Sequence, residues 1–173
     1  METLNAIRSR RSYRGKFTAA LVPREDMQEI LEAAVNAPSG CNLQTTVFIG
    51  VDDPAIAHEL GSYYGKAWAE TAPAAIILLT KEYPQTPNGS RHIEDFSAAA
   101  QNILLALTDK GYAGVWIEGQ ICGEPAAKMA NLLNVPADLS VAVYIPFGVP
   151  AEEYKQPPKK TFDERVCFNR YNW

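Results

Sequence analysis

The chain has 173 residues, of which 47% are hydrophobic and 21% charged, and a formal net charge of −4. Those values suit one globular domain over residues 1–173 with a core of its own, and they exclude a general polyanion binder, which would be basic overall. The three cysteines, Cys41, Cys122 and Cys167, are odd in number and have no paired spacing, which excludes a disulfide framework and a zinc ribbon.

No stretch approaches the roughly 20 apolar residues of a membrane span, and no apolar N-terminal run resembles a signal peptide. A reducing, cytoplasmic setting is the expectation. There is no internal repeat.

Thr3 can cap a short helix that turns Leu4 and Ile7 inward and runs into Arg8-Ser9-Arg10-Arg11-Ser12-Tyr13-Arg14. Pro23 opens a second helix, with Met27, Ile30, Leu31, Ala34 and Val35 at helical spacing, and Pro38-Ser39-Gly40 ends it. Residues 37–44 form a polar loop, and Thr45 to Val51 a strand. Asp52-Asp53-Pro54 leads into a weaker helix that Gly61 to Gly65 breaks, with a further helical turn over residues 66–70.

Ala74 to Thr80 is a continuous apolar run suited to a strand buried on both faces. Residues 83–93 hold a Pro, Thr, Asn, Gly and Ser-rich loop, the best candidate for a lid. A long helix from about Ile93 to Lys110 carries Phe96, Ala99, Ala100, Ile103, Leu104 and Leu107 as one broad stripe, and Gly111 stops it. Then come a strand from Ala113 to Glu118, a helix over residues 124–133 and a strand from Leu139 to Phe147. Residues 150–173 form a tail whose aromatic rings require packing on this subunit or on a partner. The order of elements is α+β.

Three chemistries compete for the polar residues. Cys41 could act as a nucleophile with His58 or His92 as base, but neither histidine lies in a recognisable catalytic context. Two scattered histidines without clustered carboxylates argue against a metal site. A phosphate-bearing ligand suits the arginine cluster best, because the planar guanidinium fork matches phosphate oxygens. A solvated surface segment is the competing explanation of such a run. Ser39, Gly40, Asn42 and Gln44 add small or amide-bearing groups that could read a heterocycle's edge, and Trp116 to Gly119 offers a strand end for a flat ring.

Several blocks then fall in a familiar order. They are Arg10-Arg11-Ser12-Tyr13-Arg14, residues 37–44, Ala72-Pro73, Asp95 with residues 99–105, residues 111–117, and Lys159-Lys160 with Glu164-Arg165-Val166. On these the chain resembles the FMN-dependent nitroreductase family, as a short single-domain member. The resemblance implies a nitroreductase-like fold, with a central, mostly antiparallel sheet flanked by helices, in an intertwined homodimer with FMN sites at the subunit interface. It implies NADH or NADPH as electron donor and two-electron ping-pong reduction of small acceptors such as nitroaromatics or quinones, with no catalytic side chain assigned. An FMN-binding or regulatory module without turnover and a dehalogenase-like flavin chemistry are the alternatives.

Carried over by position, the cofactor-binding residues are Arg10, Arg11, Ser12 and Arg14 for phosphate and ribityl chain. Pro38, Ser39, Gly40, Asn42 and Gln44 come from the second subunit. Gly65, Lys66, Trp116, Ile117, Glu118 and Gly119 lie beside the ring. Lys159 and Lys160 stand where the family carries a C-terminal Lys-x-Arg for the phosphate, a pattern not intact here.

Overall fold

The computed structural model describes residues 2–81 and 91–171, so most of the candidate lid lies outside the described residues. In chain order the elements are helix α1 (Thr3–Ser9), α2 (Arg24–Val35), strand β1 (Thr46–Val51), α3 (Pro54–Tyr64), β2 (Ala74–Thr80), α4 (His92–Asp109), β3 (Ala113–Gly114), α5 (Glu124–Leu132) and β4 (Ser140–Gly148). The four strands form one antiparallel sheet in the order β1-β2-β4-β3.

Every residue of β2 is buried, because helices cover both faces of the sheet. Side chains alternate across a strand, so Ala74, Ile76 and Leu78 meet α2 and α4, through Met27, Ile30, Phe96, Ile103 and Leu107. Ala75, Ile77 and Leu79 meet α3 and α5, through Leu60 and Met129. The result is a helix–sheet–helix sandwich with β2 and β4 as the inner strands of its middle layer. Asn102 ties two helices of one layer together, its Nδ2 donating to the Ala33 carbonyl at 3.0 Å.

Five sequence expectations need correction. Gly61 does not break α3, which continues to Tyr64. A Cβ at Gly61 would sit 2.7 Å from the backbone of Ala69, so this glycine serves close packing. The stop is Gly65, in the left-handed conformation at φ 74°.

The strand expected over residues 113–118 is paired only at Ala113 and Gly114. The same register would next put Val115 opposite Pro146, which has no N–H to donate, and pairing resumes at Ile117 opposite Tyr144.

Leu4 and Ile7 do not turn inward, being 61% and 49% exposed, and α1 is preceded by Glu2 rather than capped by Thr3. On α2, Val35 also faces outward. Among the described residues no helix is long and apolar enough to cross a membrane.

Candidate functional site

The arginine cluster is fixed by backbone pairing. After α1 ends, Ser12 bridges Gly114 in parallel at the outer edge of β3, and the Tyr13 amide donates to the Gly114 carbonyl at 3.0 Å. Tyr13 is buried beneath the cluster, edge-on to Phe17 and Tyr154, with its hydroxyl donating to the Lys16 carbonyl at 2.5 Å.

Above this anchor the guanidinium of Arg10 lies 3.5 Å from the Ser12 hydroxyl. Arg11 turns back instead, donating to the carbonyls of Arg8 at 2.8 Å, Ser9 at 2.7 Å and Arg10 at 3.2 Å. Those carbonyls belong to a helix end with no intrahelical donor left, so Arg11 caps α1. Arg14 is exposed.

The segment that follows β3 continues from the Gly114 contact. Trp116 is half-buried against the α2–α4 layer, while the Ile117 side chain sinks into the α3–α5 layer. Both the amide and the carbonyl of Ile117 pair with Tyr144, at 3.0 and 2.9 Å, which leaves Glu118 and Gly119 exposed at the rim. Tyr64 donates to the Gln120 side chain at 2.7 Å, so the C-terminal end of α3, with exposed Gly65 and Lys66, borders the same rim. A Cβ at Gly65 or Gly119 would touch nothing within 4 Å, leaving an open, unobstructed surface there.

The Pro38–Gln44 loop is built differently. Ser39 Oγ accepts from the Gln44 amide at 3.0 Å, closing the loop on itself. Inside it Cys41, Asn42 and Gln44 are left-handed, at φ 53°, 56° and 51°. Each such non-glycine residue costs roughly 1–2 kcal/mol, so the turn persists only because its surroundings hold it. Part of that hold comes from Asp95 in the first turn of α4, a buried carboxylate that accepts from the Gly40 amide and the Thr45 hydroxyl, both at 2.7 Å. In the sequence Asp95 belongs to one of the blocks that carry the family resemblance, and its own signal is an acidic residue early in an otherwise apolar helix.

These two groups do not meet within one chain. The loop joins β1, whose Thr46 pairs with Thr80, itself paired with Ser140. The arginine cluster joins β3, whose Gly114 pairs with Phe147, itself paired with Ala74. Loop and cluster therefore occupy diagonally opposite corners of the sheet, roughly 20 Å apart along the strands and roughly 14 Å across them. Helix α4 spans the same diagonal, with Asp95 against the loop and Leu107 against Gly114.

Lys159 and Lys160 lie in an exposed tail, where Phe162 and Phe168 are 62% and 73% exposed and contact each other. Cys41 is exposed, and His58, on α3 in the α3–α5 layer, has its Nδ1 3.0 Å from the Glu70 carbonyl. Among the described residues no group of three or more potential ligands could hold a metal ion.

Compared with known proteins, the nitroreductase family profile matches residues 7–85 and 61–149. The chain belongs to the nitroreductase family. An FMN-dependent nitroreductase of Clostridium difficile R20291 superposes with a TM-score of 0.81 at 29% identity, covering 97% of this chain and 99% of that one. The NADPH-flavin oxidoreductase of Vibrio harveyi is 28% identical over 182 residues, 98% of this chain and 74% of that protein. Iodotyrosine deiodinase 1 of Sus scrofa is 24% identical over 177 residues, 83% of this chain and 60% of that protein. The antiparallel sheet flanked by helices is thus the nitroreductase-like fold.

Proposed function

We propose that this nitroreductase-family chain is an FMN-dependent NAD(P)H oxidoreductase that reduces small electrophilic acceptors such as nitroaromatics or quinones. It works as a homodimer with two sites, each assembled from both subunits. The observation that carries this reading is the diagonal separation of the Arg10–Ser12 cluster from the Pro38–Gln44 loop. One chain holds two half-sites and cannot close either, whereas a second copy can bring its loop to the first copy's cluster.

The residues fit the cofactor. The Arg10 guanidinium beside the Ser12 hydroxyl is a donor pair suited to a phosphate dianion, set on a backbone-paired segment. The open Cα face of Gly119 and the half-buried Trp116 ring leave an apolar place for a flat heterocycle. FMN, when bound, supplies the two-electron redox chemistry, so the protein need not contribute a nucleophile or a metal.

The chain's own residues bind and orient. Arg10 and Ser12 grip the phosphate, and Arg14 adds positive field from the exposed side. Arg11 stiffens α1 and holds the segment's entry. From the partner copy, Pro38, Ser39, Gly40, Asn42 and Gln44 supply backbone and amide groups to the cofactor. Ile117 fixes the level at which Glu118 and Gly119 emerge, with Gly65 and Lys66 on the flank. Lys159 and Lys160 bring late positive charge from the tail, whose exposed aromatic rings support its packing on the partner.

Anaerobic mixing of the purified protein with NADH and NADPH tests the reading. The flavin absorbance is expected to bleach and to return when an acceptor is added. Protein that stays yellow with both donors would end the reductase reading, and colourless protein that takes up no FMN would end the cofactor reading. Reductive dehalogenation is the second reading, supported by the likeness to a deiodinase, and halide release from an iodinated phenol distinguishes it.

A further inference from the structure

Asp95 is 4% exposed, and cofactor binding as described makes no use of it. Its two oxygens reach different points of one loop, Oδ1 to the Gly40 amide and Oδ2 to the Thr45 hydroxyl. The carboxylate therefore brackets the loop at entry and exit, with the three left-handed residues between the two ties. It stands in the first turn of the 18-residue α4, where aligned N–H groups favour a negative charge. Gly40 lets the loop backbone come this close, because a Cβ there would lie 2.8 Å from Arg91 Cβ.

Nothing within the loop replaces these ties. The Ser39–Gln44 bond closes the turn on itself but does not fix it to the body of the protein. Among the described residues, Asp95 is the side chain whose hydrogen bonds tie the turn to α4, a helix packed on the sheet.

We infer that Asp95 is a positioning residue for the cofactor, holding one subunit's Pro38–Gln44 loop in the shape that completes the partner's site. The inference rests on the proposed FMN reading. Asp95 touches no cofactor atom itself. It acts through Gly40 and Thr45, by keeping Ser39, Asn42 and Gln44 presented outward before the cofactor arrives.

Four variants test it: Asp95→Ala, Asp95→Asn, Thr45→Val and Asn102→Ala, each titrated with FMN by fluorescence quenching and melted without FMN. An asparagine can still accept from the Gly40 amide and can donate to the Thr45 hydroxyl, so Asp95→Asn should stay within about threefold of wild type. Asp95→Ala loses both ties, and its FMN dissociation constant should rise by about 30-fold. Thr45→Val loses one tie and should rise by about fivefold. The visible circular dichroism of flavin bound to saturation should change in Asp95→Ala and be restored in Asp95→Asn.

Asn102→Ala loosens the α2–α4 layer away from the loop, so it should melt earlier with FMN affinity unchanged. If it weakens FMN as much as Asp95→Ala at equal loss of melting temperature, the effect is general loosening and the inference fails. Wild-type affinity in Asp95→Ala overturns it, as does an Asp95→Asn no better than Asp95→Ala. Should Asp95→Ala not fold, Thr45→Val decides, and wild-type affinity there overturns it. Failure of wild-type protein to bind FMN refutes the proposed function instead.

Discussion

Ser12 and Gly114 pair in parallel at the free edge of the sheet, a contact made by backbone and not by side chain. Gly114 also packs closely on its other side, where a Cβ would crowd Phe147 Cβ and the Pro146 carbonyl at 3.0 Å and Leu107 Cδ1 at 3.1 Å. The arginine cluster is thus seated by a strand-like contact that does not depend on its own charged groups. On the proposed reading, binding and folding are separable here.

Arg10→Ala with Ser12→Ala should therefore spare the fold and damage the cofactor site. Losing one charge-assisted and one neutral donor costs about 2–3 kcal/mol, near 100-fold in FMN affinity. The apo melting temperature should hardly move, because both side chains are only half-buried. Flavin fluorescence titration beside a thermal melt checks both halves, and unchanged affinity would place the clamp elsewhere.

Mixed dimers should complement. A subunit defective in Arg10 paired with one defective in Asn42 keeps one intact site, built from the second chain's cluster and the first chain's loop. Random reassortment of the two inactive variants should restore about a quarter of wild-type FMN sites, as symmetry of a two-site dimer requires. Counting bound flavin after mixing measures this, and no recovery would mean that each site is built from one chain.

The two glycines at the end of α3 should respond differently to alanine. At Gly61 the added methyl meets backbone at 2.7 Å that cannot easily retreat, and overpacking of this kind costs about 1–3 kcal/mol. At Gly65 there is open space, and the cost is the left-handed conformation alone, roughly 1 kcal/mol. Chemical denaturation of the apo protein should rank the variants in that order.

Acid sensitivity should trace in part to Asp26. Its carboxyl is held below the ordinary 3.8 by the Lys110 ammonium, at 2.8 Å, and then by the Tyr112 hydroxyl, at 2.5 Å. The Tyr112 hydroxyl is in turn pushed up to about 12 by burial and by that carboxylate. A lowered carboxyl contributes stability above 3.8 that is lost as pH falls through its folded value. Asp26→Asn should melt earlier than wild type at pH 6, and the gap should close as pH falls below 3.8 through the lowered folded value.

The layered fold was largely legible in the sequence because its signals are local. The unbroken apolar run of β2 requires cover on both faces, and the α4 stripe keeps helical period from Phe96 to Leu107. The errors arose where tertiary contact overrules local preference. Gly61 reads as a breaker until Ala69 is placed against it, and the missing half of β3 depends on Pro146, which is 31 residues away from Val115 in sequence. The proposed site residues stand out in the sequence as types and in order, but their division between opposite corners of the sheet follows from strand order, which no short window contains.

If the cofactor site is shared as proposed, the diagonal layout ties colour to concentration. A lone subunit offers FMN either a cluster without a loop or a loop without a cluster, so cofactor uptake and subunit association should share one isotherm. Diluting the yellow protein would then release flavin at the point where dimers part, and added FMN would pull subunits together. Any affinity quoted for the cofactor would carry the protein concentration inside it.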